Sequence, residues 1–158
     1  IYFNEMNKFF LFFEKKFKIK ISIALHPKCE KIKVLKKYFN NRLCFIDKTH
    51  DLVSKSKYVF AHPSTTSINI PIIYKKPLFF LVTNELMQNP EWRMRLERRK
   101  YFLNQPVINV SNRKNYIDFQ PSSKIDNTGY NKYLKFFVKS CNKKICKNSL
   151  WEDLNNSL

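Results

Sequence analysis

The sequence predicts an α/β fold in which a parallel sheet is flanked by helices. Five short apolar runs alternate with segments whose apolar residues recur at helical spacing. The runs are continuously apolar rather than alternating, as is typical of parallel strands that are buried on both faces. The chain has 158 residues and is 44% apolar, which suits one domain with a closed core. We therefore expect a single domain over residues 1–158.

The elements of the first half follow from apolar spacing and β-branched runs. Met6, Phe9 and Phe13 recur at helical intervals, and this Phe-rich stripe predicts a helix that packs on the core. Thr49 is the expected N-cap of a later helix. The predicted elements are a helix over 4–16, a strand in KIKISIAL, a helix over 30–39, a strand in LCFID, a helix over 50–57 and a strand over 58–61.

The second half repeats the alternation and ends in helices. Pro71 must kink the segment that contains it or lie near the first turn of its helix. Ser149 can cap a terminal turn that includes Trp151. The predicted elements are a segment over 64–74 that hydroxyl residues open, a strand over 78–82, a charged helix over 91–103, a strand over 107–110, a loop over 120–129 and a helix over 131–140.

The composition excludes several kinds of site. Gly129 is the only glycine, so neither a Gly-rich dinucleotide turn nor a Walker phosphate loop can be present. Asn must then supply the left-handed turn positions and the helix C-caps. The net charge of +18 comes from 24 Lys and six Arg. Proteins that recognise nucleic acids depend on paired hydrogen bonds from Arg and on stacked aromatic side chains. Lys residues spread along the whole chain are instead typical of solvent-exposed faces.

Cysteine spacing and apolar run length indicate the compartment. No two of the four cysteines have two residues between them, so neither a zinc ribbon nor a redox motif is expected. Cys44 is expected in the core. The spacing of the three histidines does not fit zinc. No run approaches the roughly 18 apolar residues of a membrane span, and nothing resembles a signal peptide. We expect a cytoplasmic protein with at most peripheral contact at the inner membrane face, and a chain that is part of a longer one.

A run of hydroxyl residues is the first candidate site. Ligands of an open parallel sheet bind beyond the carboxyl ends of its strands. After the third predicted strand come four consecutive hydroxyl residues, Ser64, Thr65, Thr66 and Ser67. Their side-chain donors, with the free N–H groups and positive dipole end of the helix that follows, predict an anion site. The simpler alternative is that Ser64 or Thr65 only caps that helix.

The pair His26-Pro27 is the second candidate site, after the first predicted strand. A histidine that a proline holds at a strand end can donate to a phosphate or act as a general acid near neutral pH. The alternative is a loop histidine with no role. Lys28 either adds charge to the site or is one of many solvated lysines. An imidazole and a hydroxyl run at one sheet edge together favour a bound phosphate.

The order of these motifs resembles a known family. An HP pair after one strand, then YVFAHPSTTSINIPIIYKKPLFFL with its Ser/Thr-rich turn, and then QPVINVSN are similar to the nucleotide-binding half of bacterial surface-polysaccharide glycosyltransferases of the GT-B fold. The chain most resembles the sialyltransferase-like group, in which an HP motif and a Ser/Thr motif hold the phosphate of a CMP-sugar. The resemblance covers most of the chain and implies a Rossmann-like sheet followed by C-terminal helices.

The resemblance also assigns roles to residues. His26 would be the catalytic residue that neutralises or protonates the departing phosphate. The nucleotide-binding residues that match its motifs would be Pro27, Ser64, Thr65, Thr66 and Ser67. Lys28 joins them for the charge that it could add beside His26, and Glu85 because it lies where such domains often touch the ribose or base, although it matches no motif. It implies a nucleotide-sugar donor, a capsule or lipopolysaccharide-type glycan as acceptor, no metal and no cofactor. The general base of this group lies in an N-terminal half-domain that we expect to be missing here, so we expect donor binding with little turnover.

Other functions fit parts of the same pattern. A CDP-glycerol-type polyol-phosphate transferase is similar in its HP and Ser-rich phosphate contacts. A basic nucleic-acid-binding module would bind polyanions with a steep salt dependence and would ignore CMP. A degenerate half-domain would serve only as an interaction surface. The helix over 91–103 holds four of the six Arg and could face the membrane, the missing domain or an acidic glycan, or form a solvated face.

Overall fold

The structure is a computed structural model that describes residues 2–29 and 32–138. The helices of this part are α1 (Tyr2–Phe17), α2 (Ile32–Tyr38), α3 (Thr49–Lys55), α4 (Asn69–Ile73), α5 (Asn84–Gln88), α6 (Pro90–Leu103) and α7 (Asn127–Phe137). Its strands are β1 (Ile23–Leu25), β2 (Cys44–Ile46), β3 (Val59–Ala61), β4 (Leu78–Val82) and β5 (Val107–Asn109). Short 3₁₀ turns occupy Thr66–Ile68 and Arg113–Asn115. The predicted α/β fold with parallel strands flanked by helices is confirmed.

The described strands form two parallel sheets rather than the single sheet that the sequence predicts. β1 pairs with β2, and β4 lies between β3 and β5, with Phe80 opposite both Ala61 and Val107. The first strand is shorter than the predicted run, whose first residue, Lys18, has a left-handed φ of 56°. Within the run, the N–H of Ile21 donates to Oε1 of Glu14 at 3.1 Å rather than to a neighbouring strand. Only three residues of that run pair with β2, so the sheet of β1 and β2 is short, and it is separate from the sheet of β3, β4 and β5.

Strand β4 separates two apolar clusters, one on each of its faces. Leu78, Phe80 and Val82 belong to the cluster formed with helices α4 to α7. Phe79 and Leu81 belong to the cluster formed with helix α1. Because side chains alternate along a strand, a strand that lies between two cores needs an apolar residue at every position. All five residues of β4 are buried, which explains its continuous apolar run.

Helix α1 packs on the sheet through its Phe stripe, as predicted. Met6, Phe9, Phe10 and Phe13 are buried. The rings of Phe9 and Phe13 meet the ring of Phe60 edge to face, with centroids 5.3 and 4.9 Å apart, a favourable geometry for aromatic pairs. The Phe stripe of α1 therefore belongs to the hydrophobic core. No helix in the described residues is long and apolar enough to cross a membrane.

Two predicted helix starts are wrong. Thr49 lies inside α3, whose N-cap residue is Lys48 and whose cap has no side-chain hydrogen bond. Helix α7 begins within the predicted loop over 120–129, because the carboxylate of Asp126 accepts a hydrogen bond from the N–H of Gly129 at 3.0 Å and caps the helix there. An acidic N-cap residue therefore starts this helix earlier than its apolar spacing indicates.

Cys44 is also placed differently from the prediction. It is only partly buried, because β2 belongs to the short two-stranded sheet rather than to the core around β4. Cys141, Cys146 and the predicted terminal turn around Trp151 lie outside the described residues.

Left-handed backbone positions are supplied only partly by Asn. The non-glycine residues with positive φ, between 47° and 58°, are Lys18, Asn40, Asn41, Asp47, Lys75 and Asn104. Asn104 ends α6 as a left-handed C-cap, as predicted. Gly129 is not one of these positions. A Cβ there would lie 2.8 Å from the carbonyl oxygen of Leu103, so the single glycine allows α7 to approach the end of α6 closely.

Candidate functional site

Two His-Pro turns follow strands β1 and β3 and have the same hydrogen bonds. The carbonyl of His26 accepts from the N–H of Cys29 at 2.9 Å, and the carbonyl of His62 accepts from the N–H of Thr65 at 3.1 Å. Nδ1 of each ring accepts from the backbone N–H two residues on, at 3.1 Å for His26 and 3.2 Å for His62. Each histidine therefore closes its own turn, with proline at the second position, where its fixed φ suits a turn.

These turns fix which ring nitrogen can donate. A ring nitrogen that accepts an N–H must present a lone pair, so the proton of the neutral imidazole lies on the other nitrogen. The hydrogen-bond pattern thus assigns Nε2–H to both histidines. Neither Nε2 atom has a hydrogen-bond partner among the described residues, so each turn presents one N–H donor. His26 is exposed, as are Pro27 and Lys28.

His62 lies in a more enclosed place. Its ring packs edge to face against Tyr2 and Trp92, with centroids 6.5 and 5.3 Å apart. Burial lowers the pKa of His62, which favours the neutral ring. Nδ1 also lies 2.6 Å from Oγ of Ser64. No buried side-chain polar atom in the described part of the chain lacks a partner, so the unbonded Nε2 of His62 must be accessible to solvent.

A small cavity of about 200 Å³ lies beside this ring, at the carboxyl ends of β3 and β4. We call it the rim pocket, and it is lined by Tyr2, His62, Thr83, Glu85, Leu86 and Trp92. Its walls are mainly aromatic and apolar. The carboxylate of Glu85 is exposed and forms no ion pair with a described residue, so it is available to accept hydrogen bonds. The predicted site residue Glu85 therefore lines a cavity together with His62.

A polar network positions helix α5, which carries Glu85. Oγ1 of Thr83 accepts from the N–H of Leu86 at 3.1 Å and caps the helix. The N–H of Asn84 donates to Oγ of Ser111 at 2.7 Å, and that hydroxyl donates to Glu5 of α1 at 2.7 Å. The helix that carries Glu85 to the rim pocket is thus held by contacts with α1, with the end of β4 and with the chain after β5. Sequence spacing does not indicate helix α5, which has only five residues.

The hydroxyl run after β3 divides into two pairs. Thr65 is the N-cap of the 3₁₀ turn, because its side chain accepts from the N–H of Ser67 at 3.3 Å, and Ser64 contacts the ring of His62. Thr65 therefore has the capping contact that the simpler alternative describes. Thr66 and the Ser67 side chain are exposed and form no side-chain hydrogen bond with a described residue. The pair Thr66 and Ser67 is free to bind a ligand.

The predicted residues are only partly brought together. β1 and β3 belong to different sheets, and no hydrogen bond between described residues links His26 to the hydroxyl run. His26 lines neither the rim pocket nor the groove that Thr66 lines. Both His26 and Thr66 are exposed, so neither is sealed in the core. Their convergence on one phosphate stays a prediction.

Sequence reasoning missed His62 as a site residue. The signal was present, since HP occurs twice, each time directly after an apolar run. It also missed Tyr2 and Trp92, which come from distant helices and meet only in the fold. No cluster of three or more His, Cys, Asp or Glu suited to a metal occurs among residues 2–29 and 32–138. No family model matches the chain, and neither a curated protein nor a solved structure is significantly similar to it.

Proposed function

We propose that this chain is the nucleotide-binding domain of a GT-B-type glycosyltransferase with a Rossmann-like sheet, and that it holds a CMP-activated sugar donor for transfer to a surface glycan. The observation that supports this most is the pair of His-Pro turns at strand ends, one of which leads into exposed hydroxyl residues. Open parallel sheets bind ligands beyond the carboxyl ends of their strands. N–H and O–H donors there suit a phosphate better than an apolar ligand.

These donors would act on the leaving group. When the bond between the anomeric carbon and the phosphate oxygen breaks, that oxygen keeps the electron pair and the phosphate gains negative charge. Donors that bind this charge more strongly as it develops lower the barrier. In this proposal Nε2–H of His26 and the hydroxyls of Thr66 and Ser67 supply them. The base that takes the proton of the acceptor hydroxyl is not among the residues assigned here.

The rim pocket would hold the nucleoside in this proposal. The rings of Tyr2 and Trp92 offer flat apolar surfaces to a base. The carboxylate of Glu85 can accept hydrogen bonds from ribose hydroxyls or from an exocyclic amino group. Both types of donor occur on a cytidine nucleotide. The pocket thus supplies recognition of the nucleoside, and the turns supply recognition of the phosphate.

Isothermal titration of the chain with CMP, CDP and UDP tests the proposal. His26→Asn keeps an acceptor for the N–H of Lys28 and removes the Nε2 donor, and Thr66→Ala removes one hydroxyl. Since a hydrogen bond to a charged group contributes about 1.5–3 kcal/mol, we expect each variant to bind CMP about tenfold more weakly or worse. The exposed residues His50 and Thr128 provide the matched controls His50→Asn and Thr128→Ala.

Three results contradict the proposal. Absence of heat with all three nucleotides removes the donor-binding function. Equal loss of affinity in His26→Asn and His50→Asn removes the assignment of His26. Tight binding of DNA or RNA that falls steeply with salt, without competition from CMP, supports the nucleic-acid alternative instead.

A further inference from the structure

A second, larger groove shares no lining residue with the rim pocket. Its volume is about 770 Å³. One wall is a stripe of helix α6 that includes Arg95, Arg98 and Arg99, three of the six Arg of the chain. The other wall includes Thr66 of the hydroxyl run and Tyr133 of α7. We call this the Arg groove.

The groove has an excess of positive charge that the described residues do not neutralise. Its three guanidinium groups face one carboxylate, that of Glu91. Nε and Nη2 of Arg95 both donate to Oε1 of Glu91, at 3.1 and 2.5 Å. Arg98 is exposed and forms no hydrogen bond or ion pair with any described residue. Cations three or four residues apart on one helix face repel each other, so an anion in the groove would relieve this repulsion.

Part of the groove is already ordered. Nη1 of Arg99 donates to the hydroxyl of Tyr133, and that hydroxyl donates to Oδ1 of Asn69 at 3.0 Å. The guanidinium also lies over the Tyr133 ring, 5.6 Å from its centroid. Arg99 is thus held against the opposite wall, with its remaining N–H groups unused by described residues. A donor held in place loses less conformational entropy when it binds a ligand.

We propose that the Arg groove binds a phosphate group, with Arg98 as the main contact and with Arg95 and Arg99 as further donors. Three guanidinium groups suit a phosphate, which offers three or more oxygens, better than a carboxylate, which offers two. Guanidinium groups also match phosphate geometry with paired N–H donors. This site does not require that the chain bind a nucleotide.

The phosphate could be carried by a small soluble ligand or by a lipid headgroup. Exposed apolar side chains also line the groove, with Met94 48% and Phe137 53% exposed. Such residues could contact an acyl or isoprenoid chain attached to the phosphate. The two sources share the Arg98 contact, and they differ in whether the ligand must be presented on a membrane.

The test compares two arginines of the same helix. Arg98→Gln removes the unpaired cation of the groove, and Arg93→Gln removes an exposed arginine of α6 that does not line it. Both variants change the net charge equally and keep a good helix former. Binding of sodium pyrophosphate is measured by titration calorimetry, and binding to vesicles of phosphatidylcholine with and without phosphatidic acid by co-sedimentation. We expect Arg98→Gln to weaken binding of the phosphate-bearing probe at least about tenfold and Arg93→Gln to weaken it less than about twofold.

The outcomes distinguish the sources and the two proposals. Binding of pyrophosphate that depends on Arg98 supports a soluble ligand, and Arg98-dependent binding only to phosphatidic acid vesicles supports a headgroup. Equal effects of the two variants, or no binding of either probe at millimolar concentration, overturn the site. His26→Asn should leave pyrophosphate binding unchanged while it weakens CMP binding, so a failure of one proposal is separable from a failure of the other.

Discussion

Replacement of Arg42 is the sharpest test of how the two sheets are held together. Nε and Nη2 of Arg42 donate to the two carboxylate oxygens of Glu14 at 3.1 and 2.7 Å. Nη1 donates to Oδ1 of Asn7 at 2.8 Å and to the carbonyl of Phe39 at 3.2 Å. The guanidinium also lies over the Phe10 ring. Since Glu14 and Asn7 belong to α1 and Arg42 leads into β2, this network links the main core to the two-stranded sheet.

The expected cost follows from burial. The Arg42 and Glu14 side chains are 9% and 24% exposed, so Arg42→Ala leaves a partly buried carboxylate that has no cation and keeps the hydrogen bond from the N–H of Ile21. Breaking a fully buried pair costs about 3–5 kcal/mol and an exposed pair contributes about 0–1 kcal/mol, so we expect about 2–3 kcal/mol for this partly buried pair. Because a domain of this size is stable by about 5–15 kcal/mol, the variant should lose a large part of its stability. Arg42→Lys should recover only part of the loss, since an ammonium cannot form the paired hydrogen bonds.

Urea unfolding followed by circular dichroism measures these changes. Arg113→Ala is the control, since Arg113 is exposed and its change should stay within about 0.5 kcal/mol. Removal of both charges in Glu14→Ala/Arg42→Ala should cost less than the sum of the single changes, because no unpaired charge is left. If Arg42→Ala is no more destabilising than Arg113→Ala, the network does not hold the sheets together.

Two further predictions concern packing and pH. Gly129→Ala should lower the free energy of unfolding by about 1–3 kcal/mol, because the new Cβ would lie 2.8 Å from the carbonyl oxygen of Leu103. Urea unfolding measures this change, and Thr128→Ala, at the exposed neighbouring residue, should alter the free energy of unfolding little. Burial lowers the pKa of His62 below the ordinary histidine value of 6.5, so the unfolded chain binds a proton first as the pH falls. The stability contributed by neutral His62 is therefore complete above about pH 6.5 and is lost as the pH falls through the lowered pKa. His62→Asn, whose side-chain oxygen can still accept from the N–H of Ser64, should reduce this acid-side slope in thermal unfolding between pH 7 and 5.

Each of these predictions has an outcome that contradicts it. If Gly129→Ala is as stable as Thr128→Ala, α7 has room to move away from α6. If His62→Asn keeps the slope of the unmodified chain, another group causes the pH dependence. Tyr2 and Glu85 are the other titratable residues that line the rim pocket, and His50→Asn, a change at an exposed histidine, should leave the slope as it is.

The central part of the fold was predictable because its sequence signal is local. Strand β4 has the bounds that the apolar run 78–82 indicates, and its burial on both faces is the reason for that run. The helix over 91–103 was predicted within one residue, since Asn89 and Pro90 mark its start and Asn104 its end. Capping residues and unbroken apolar runs act within a few residues, so a single sequence reveals them.

The sheet of β1 and β2 and the candidate site were less predictable, because both depend on contacts between residues that are far apart in the sequence. Whether β1 joins the main sheet depends on packing between segments far apart in sequence, and the apolar run in KIKISIAL does not contain that information. Tyr2 and Trp92 meet at His62 across 60 and 30 residues of chain, respectively. The sequence predicted Glu85 and Thr66 as residues of one site but did not indicate that they line different cavities.

The two His-Pro turns have the same hydrogen bonds but different surroundings. Both turns fix the ring in the same way, so both histidines have Nε2–H as their free donor. The surroundings differ, since His62 packs between aromatic rings and contacts Ser64, whereas the ring of His26 has only its own turn as a hydrogen-bond partner among the described residues. The Nε2–H of His62 has no partner among the described residues, so this ring is held by its aromatic neighbours and by the contacts of Nδ1 with Ser64. The ring of His26 has no such aromatic neighbours among the described residues, so its replacement should change the affinity for a ligand, whereas replacement of His62 should change the stability of the fold.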